Sequence, residues 1–265
     1  MRVTYRTQVL RKQYYPVTVP YYVSTPFRVS RMVDEIERVT YEPQSIAKMG
    51  ASLSNGTTET TGFASATNGY RLGGWAAAAA HRSRMDKLSL GTEVLSLSGE
   101  SLSRDSSRAT AVGVSGAGYL FGGQGGGSRQ AEIQKVNTTT DVVSVLAAIL
   151  NSATEYLACT GNTAKAVIGG GRSDAGSLAT LQNFTYSLEA MAPAGNQLLV
   201  ESEGLAASGS NKTAVFAGGT GGEEAESSVQ TVSMSTGTVV IHGFYLTKDR
   251  VFYADTSISD YSPAA

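Results

Sequence analysis

The sequence predicts an all-β fold, a ring of five four-stranded sheets built from repeats of about 48 residues. Three observations predict it. An apolar triplet recurs five times along the chain, a Gly-Gly pair closing a short apolar run recurs four times, and the composition is that of tight-turned β structure. Of 265 residues only 16% are charged, 41% are hydrophobic and 30 are glycine. Low charge with abundant Gly, Ser and Thr argues against helix bundles, and also against ordinary disorder, which wants high charge and low hydrophobicity. The net charge of -1 gives no global attraction to nucleic acid or an anionic membrane.

The apolar triplet reads Ile36, Val39, Ile46; Met85, Leu88, Leu95; Ile133, Val136, Val143; Leu178, Leu181, Leu188; and Val229, Val232, Val239. Turn formers fill the middle of most copies (Pro43, Gly91, Asp141, Gly237), so each triplet is expected to be a hairpin. The Gly pairs close Arg71-Leu72-Gly73-Gly74, Leu120-Phe121-Gly122-Gly123, Val167-Ile168-Gly169-Gly170 and Phe216-Ala217-Gly218-Gly219. A Gly pair fits a strand end where the backbone turns sharply or lies against a neighbour. Small-residue strands are expected just before them, at residues 61–66, 108–114, 155–160 and 201–207, with a fifth at 250–256.

Each unit therefore offers three or four short strands separated by turns. One such sheet cannot bury both faces alone, whereas a ring of them can. Five triplets and five small-residue strands imply five blades. The first triplet lacks a preceding Gly-Gly strand and the last small-residue strand lacks a following hairpin. Joining the ends resolves both gaps: residues 250–256 would complete the blade that begins at residue 36, with 21–29 or 257–262 as its remaining strand. The domain reading is an extended arm over residues 1–20 and a propeller over residues 21–262.

The arm region differs in chemistry. Residues 1–31 hold six basic residues and no acid, together with five of the 13 tyrosines. Tyr and Arg anchor protein interfaces, and Pro16, Pro20 and Pro26 favour an extended path. Tyr5, Arg6, Arg11, Lys12, Tyr14, Tyr15, Tyr21 and Tyr22 are the candidate partner-binding residues. The loops after the Gly pairs should share one rim of the ring, which makes Trp75, His81, Arg129 and Arg172 the rim and ligand candidates. Cys159 is the single cysteine, so no disulfide can form within the chain, and it reads as a buried thiol. Gly122 to Gly127 lacks the Lys-Ser/Thr and the helix of a phosphate loop. No catalytic residue, cofactor or metal site is expected. The N-terminus has no apolar core of a secretory signal, which favours a cytoplasmic origin.

The strand ending in Gly-Gly and followed by a hairpin resembles the kelch repeat over residues 30–256. The clearest instance runs from Leu150 through Cys159 to Gly170. The sequence departs from that family in lacking a Trp after each Gly pair; Trp75 is the only one. Kelch-like proteins occur among bacteriophage virion and tail-appendage components. The resemblance implies a non-enzymatic structural subunit, located in the virion if of phage origin. It would be present in several copies of a homo- or hetero-oligomer, with other protein subunits as partners. A carbohydrate-binding, lectin-like propeller contacting a host-surface glycan or receptor is the alternative. An oxidase or sialidase propeller is disfavoured, because neither a copper-ligand set nor an Arg triad is recognisable. Neither membrane nor nucleic acid is expected as a partner.

Overall fold

The structure is a computed structural model that describes residues 35–41, 44–53, 57–76, 80–221, 227–243 and 246. The described residues form strands, turns and connections, with no helix among them. The described residues begin with an antiparallel hairpin, β1 (Glu35–Tyr41) with β2 (Gln44–Ser52). Three repeats of one plan follow, each an inner hairpin, a short rim hairpin and an outer hairpin. The first holds β3 (Thr61–Ala64), β4 (Asn68–Leu72), β5 (Trp75–Ala76), β6 (Ala80–His81), β7 (Met85–Ser89) and β8 (Leu95–Leu97). The second holds β9 (Thr110–Val114), β10 (Ala117–Phe121), β11 (Gln124–Gly125), β12 (Ser128–Arg129), β13 (Glu132–Asn137) and β14 (Val143–Ile149). The third holds β15 (Ala158–Gly161), β16 (Lys165–Gly169), β17 (Arg172–Ser173), β18 (Gly176–Ser177), β19 (Thr180–Thr185) and β20 (Ala190–Gln197). The fourth repeat holds β21 (Ala206–Gly209), β22 (Thr213–Ala217), β23 (Val229–Ser233) and β24 (Val239–Ile241).

Inner and outer hairpins of each repeat join into one antiparallel four-stranded sheet, in the orders β3-β4-β7-β8, β9-β10-β13-β14, β15-β16-β19-β20 and β21-β22-β23-β24. The sheets stand around an axis as the blades of a propeller. Backbone bonds stitch them there: Arg108 N–H donates to Glu59 O, Tyr156 N–H to Arg108 O, and Gly204 N–H to Tyr156 O, at 3.1, 2.8 and 2.9 Å.

Apolar side chains fill the seams between sheets. The first seam packs Phe63, Tyr70, Leu72 and Met85 against Ala111, Leu120 and Val136. The second is aromatic, with Phe184 centred 5.3 Å from Phe121 and 4.9 Å from Tyr119, and it encloses the fully buried Cys159. The third packs Val167 and Leu181 against Leu205, Phe216 and Val232.

The structure corrects three expectations. Four sheets with four strands are described, not five; the fifth outer hairpin, β1–β2, stands as a two-stranded sheet. Residues 250–256, assigned above to its inner strand, lie outside the described residues. In the third repeat the hairpin core is Leu181, Phe184 and Met191, with Phe184 paired to Met191, rather than Leu178, Leu181 and Leu188. Leu188 is 74% exposed at the turn, so the aliphatic match was three residues out of phase. The third Gly pair is Gly170–Gly171. Both residues have left-handed φ (64° and 96°), matching Gly73–Gly74, Gly122–Gly123 and Gly218–Gly219.

The glycines are needed for close approach. The second of each pair lies so near the start of its own sheet that a Cβ would meet a carbonyl oxygen: Thr58 O at 2.9 Å for Gly74, Ser107 O at 2.5 Å for Gly123, Glu155 O at 2.9 Å for Gly171 and Glu203 O at 2.7 Å for Gly219. The amides of Gly74, Gly123 and Gly171 donate to Ser106, Thr154 and Ser202 at the start of the next sheet. Each Gly pair thus ends a strand, and the first three also tie two blades.

Candidate functional site at the axial rim

The first inner strand begins at Thr61 as expected, and those of the next three repeats begin later, at Thr110, Ala158 and Ala206, because the residues before them build the axis. Glu59, Arg108, Tyr156 and Gly204 occupy equivalent positions, with φ of 56°, 56°, 56° and 63°. A left-handed φ is strained for any residue but Gly, and costs roughly 1–2 kcal/mol per site. Three bulky side chains accept that cost at one ring of positions. Such outliers concentrate where geometry is over-determined.

What holds them is mutual. The Arg108 guanidinium donates through Nε to Glu59 Oε2 at 2.9 Å and through Nη1 to Gln124 Oε1 at 2.8 Å and Glu155 Oε2 at 3.0 Å. It also lies 4.8 Å from the centre of the Tyr156 ring. Tyr156 OH donates to Glu59 Oε1 at 3.4 Å, joining the first and third repeats. Burial alone would pull the Arg108 pKa down, but the hydrogen bonds to Glu59 and Glu155 outweigh it and hold it above the ordinary range.

The network extends outward along the rim. Glu155, almost wholly buried, also accepts from Arg129 at 2.8 Å, and Arg129 reaches the exposed Asp174 at 2.5 Å. Arg172 donates to the buried Glu203 at 3.3 Å, and Ser177 to the same carboxylate at 3.4 Å. Single backbone bridges, Thr58 with Trp75, Ser107 with Gln124 and Glu155 with Arg172, pin the three described rim hairpins onto the axis, and Glu203 with Thr220 repeats the bridge in the fourth repeat.

The structure thus places the four rim candidates on one end of the molecule, as the repeat requires. Trp75 is half-buried in β5, and its backbone pairs with that of His81 in β6. Arg129 and Arg172 are both engaged in ion pairs. The arm candidates Tyr5, Arg6, Arg11, Lys12, Tyr14, Tyr15, Tyr21 and Tyr22 lie outside the described residues. Sequence reasoning missed Glu59, Arg108 and Tyr156, although their spacing of 49 and 48 residues carries the repeat period.

It also missed a set of clamps at the opposite end. The outer-hairpin turns place Glu93, Asp141, Glu189 and Gly237 in equivalent left-handed positions, at φ 58°, 61°, 47° and 71°. Asp141 reaches back to the first sheet, accepting from Tyr70 OH at 2.9 Å and Lys87 Nζ at 2.8 Å. Glu189 repeats this on the second sheet, accepting from Lys135 Nζ at 2.5 Å and Tyr119 OH at 3.4 Å. Burial, then the Glu189 charge and hydrogen bond, push the Tyr119 pKa up to about 12; burial and Asp141 push Tyr70 higher still.

Among the described residues, no group of His, Cys, Asp and Glu is arranged to hold a metal ion, and no helix is long and apolar enough to cross a membrane. In comparisons with known proteins, no family model and no curated protein matches the chain.

Proposed function

We propose that this chain is a non-enzymatic structural and interaction protein, a subunit of a larger assembly. It docks through its N-terminal arm and presents a rigid propeller rim. One observation carries the reading: Arg108, Arg129 and Arg172 at the axial rim are spent on carboxylates of neighbouring blades. Arg108 binds Glu59, Gln124 and Glu155, Arg129 binds Glu155 and Asp174, and Arg172 binds Glu203. Groups aimed at a reacting substrate need unspent donors or acceptors at the point of reaction. Here they brace a scaffold. The kelch-like repeat suggests a virion or tail appendage as the assembly.

The propeller of this proposal has five blades. The residues at the start of the outer hairpins, Ile36, Met85, Ile133, Leu181 and Val229, step by 49, 48, 48 and 48. A leucine closing each outer hairpin keeps the same steps at Leu53, Leu102, Leu150, Leu198 and Leu246. Its amide bonds back to Ser83, Ala131, Ala179 and Ser227 in the last four copies. Five outer hairpins against four inner ones call for one more inner pair. Residues 250–256 supply one strand. For the other, Tyr21 stands 49 residues before Tyr70, as Tyr70 stands 49 before Tyr119, which favours 21–29 over 257–262.

Removing residues 1–20 tests the reading. The truncated protein is expected to keep its circular dichroism and melting temperature. By light scattering it is expected to lose the self-association of the full chain. A full chain that runs as a monomer, with hydrolytic or redox turnover on a substrate panel, overturns the proposal. The alternative, a lectin-like or host-receptor-binding rim, draws on Trp75, half-buried at the axial rim. Glycan-array binding that survives the truncation and is lost in Trp75→Ala would favour it.

A further inference from the structure

The outer strand of every sheet is an edge, with backbone groups facing away from the molecule. Edges invite a further strand, and proteins usually blunt them with short length, Pro or charge. Here the five outer edges are not alike, and β2 carries Lys48 and Gly50. β8 and β24 are three residues long. β20 contains Pro193 and Gly195. β14 has neither protection: it is seven residues, Val-Ser-Val-Leu-Ala-Ala-Ile, with no charge, Pro or Gly. No charged residue occurs between Asp141 and Glu155. Val142, Val145 and Ile149 are about half exposed along it. A register shift between Glu132 and Gln134 bends the strand, and that is its only guard.

We infer that the β14 edge is a strand-docking site whose occupant is the N-terminal arm, residues 2–15, of a second copy of this chain. This rests on the proposed arm-docking function and names the surface that receives the arm. Residues 2–15 lie within the longest stretch of the first 31 without Pro or Gly, residues 1–15. Over residues 2–9 they alternate with the period of a strand: Val3, Tyr5 and Val9 on one side, Arg2, Thr4, Arg6 and Gln8 on the other. Residues 1–31 carry six of the 21 basic residues and none of the 22 acids, so the rest of the chain has a net charge of -7. Attraction steers the arm to the body, and an uncharged edge lets it pair without burying a like charge. Binding is in trans because of reach. If residues 21–29 belong to the blade of β1–β2, only residues 16–20 link it to the arm. They span at most about 18 Å, and the first sheet lies between that blade and the sheet of β14.

The test uses three proteins in the same light-scattering measurement: the full chain, the chain lacking residues 2–15, and the full chain with Val145→Lys and Ile149→Lys. Both lysines replace exposed side chains, and unchanged circular dichroism confirms folding. The full chain is expected to self-associate, and both altered proteins to weaken that association at least tenfold. A synthetic peptide of residues 2–15 should bind the truncated chain, and bind at least tenfold more weakly once the two lysines are present in it. Loss of association on truncation but not with the lysines overturns the β14 site and leaves the arm-docking function standing. Association lost with the lysines but kept on truncation means β14 pairs with β14, and overturns the arm as occupant. Association unchanged in both overturns the site and arm docking together, and a monomeric full chain overturns the β14 site.

Discussion

The seam between the first sheet and the β1–β2 hairpin differs in kind from the three seams that follow it. In the second, third and fourth repeats the next-to-last residue of the second strand is apolar: Leu120, Ile168 and Phe216. The residue registered opposite is a buried glutamine: Gln134, Gln182 and Gln230. Each glutamine carbonyl accepts a backbone N–H from the connection that leads into its own repeat, Ser103 at 2.8 Å, Asn151 at 2.9 Å and Leu199 at 2.6 Å. In the first repeat the same registered pair is Arg71 and Asp86, an ion pair with side chains almost fully buried. Arg71 Nε donates to Asp86 at 2.7 Å, and Nη1 to Thr57. Burial pulls the Arg71 pKa down, and Asp86 opposes it. Ile36 and Leu53 of the hairpin side face this pair across a cavity of about 10 Å³. One position in a repeat therefore carries apolar packing within the series and charge at its border. A buried ion pair adds little net stability, but it penalises any partner that leaves it unmatched. In a chain of near-identical seams, it distinguishes the border blade from its siblings.

Breaking either kind of seam should have the largest effect. Arg71→Leu leaves the Asp86 carboxylate buried and unpaired, and should destabilise by about 3–5 kcal/mol. Phe216→Ala opens a cavity in the apolar series and should cost about as much, ~3–5 kcal/mol. The two part company on rescue. Arg71→Leu combined with Asp86→Gln rebuilds the sibling pattern, and should return to within about 1 kcal/mol of the parent or exceed it. Phe216 has no such second-site remedy. Chemical denaturation of the parent and the three variants measures this; a double variant no better than Arg71→Leu alone would mean that the ion pair itself supplies the stability.

A smaller effect is expected from Gln182→Ala, which removes the acceptor for Asn151 N–H within a buried seam. It should cost about 1–3 kcal/mol, and a loss below about 0.5 kcal/mol would show that water replaces the side chain. The smallest effect at neutral pH is that of Tyr119→Phe, about 0.5–1.5 kcal/mol for one hydrogen bond. Its signature lies in alkali. Tyr119 titrates near 12 in the folded chain against an ordinary value of 10.0. The folded state therefore holds this proton more tightly than the unfolded chain. The stability it contributes is present below pH 10 and is lost as pH rises toward 12. Urea titrations at pH 8, 10 and 11 should show the parent losing stability with a steeper slope than Tyr119→Phe; equal slopes would remove Tyr119 as a contributor.

Much of this plan was legible in the sequence, because the Gly pairs and apolar triplets report backbone requirements that recur whatever surrounds them. The phase slipped in the third repeat, where Phe184 and Met191 do the work done elsewhere by aliphatic residues and Leu178 and Leu188 offered a false match. The axis was not legible for the opposite reason. At 59, 108, 156 and 204 the backbone conformation repeats while the chemistry runs Glu, Arg, Tyr, Gly. No residue-type pattern marks a position whose constant is its φ. Arg71 and Asp86 lie 15 residues apart, and pair because β4 and β7 set them in register. The Lys87–Asp141 and Lys135–Glu189 clamps join different sheets, so only the ring brings them together. In three repeats the loops after the Gly pairs fold as hairpins of two-residue strands, and Arg129 and Arg172 on them serve neighbouring blades.

The central claim is a closed ring of five repeats whose last blade is built from both ends of the chain. A crystal structure of the full chain viewed down the axis tests it most directly. The expected result is five four-stranded sheets, with residues 250–256 as the innermost strand of the sheet that contains β1 and β2. Four sheets with β1–β2 standing apart, or a C-terminal segment paired elsewhere, would contradict it.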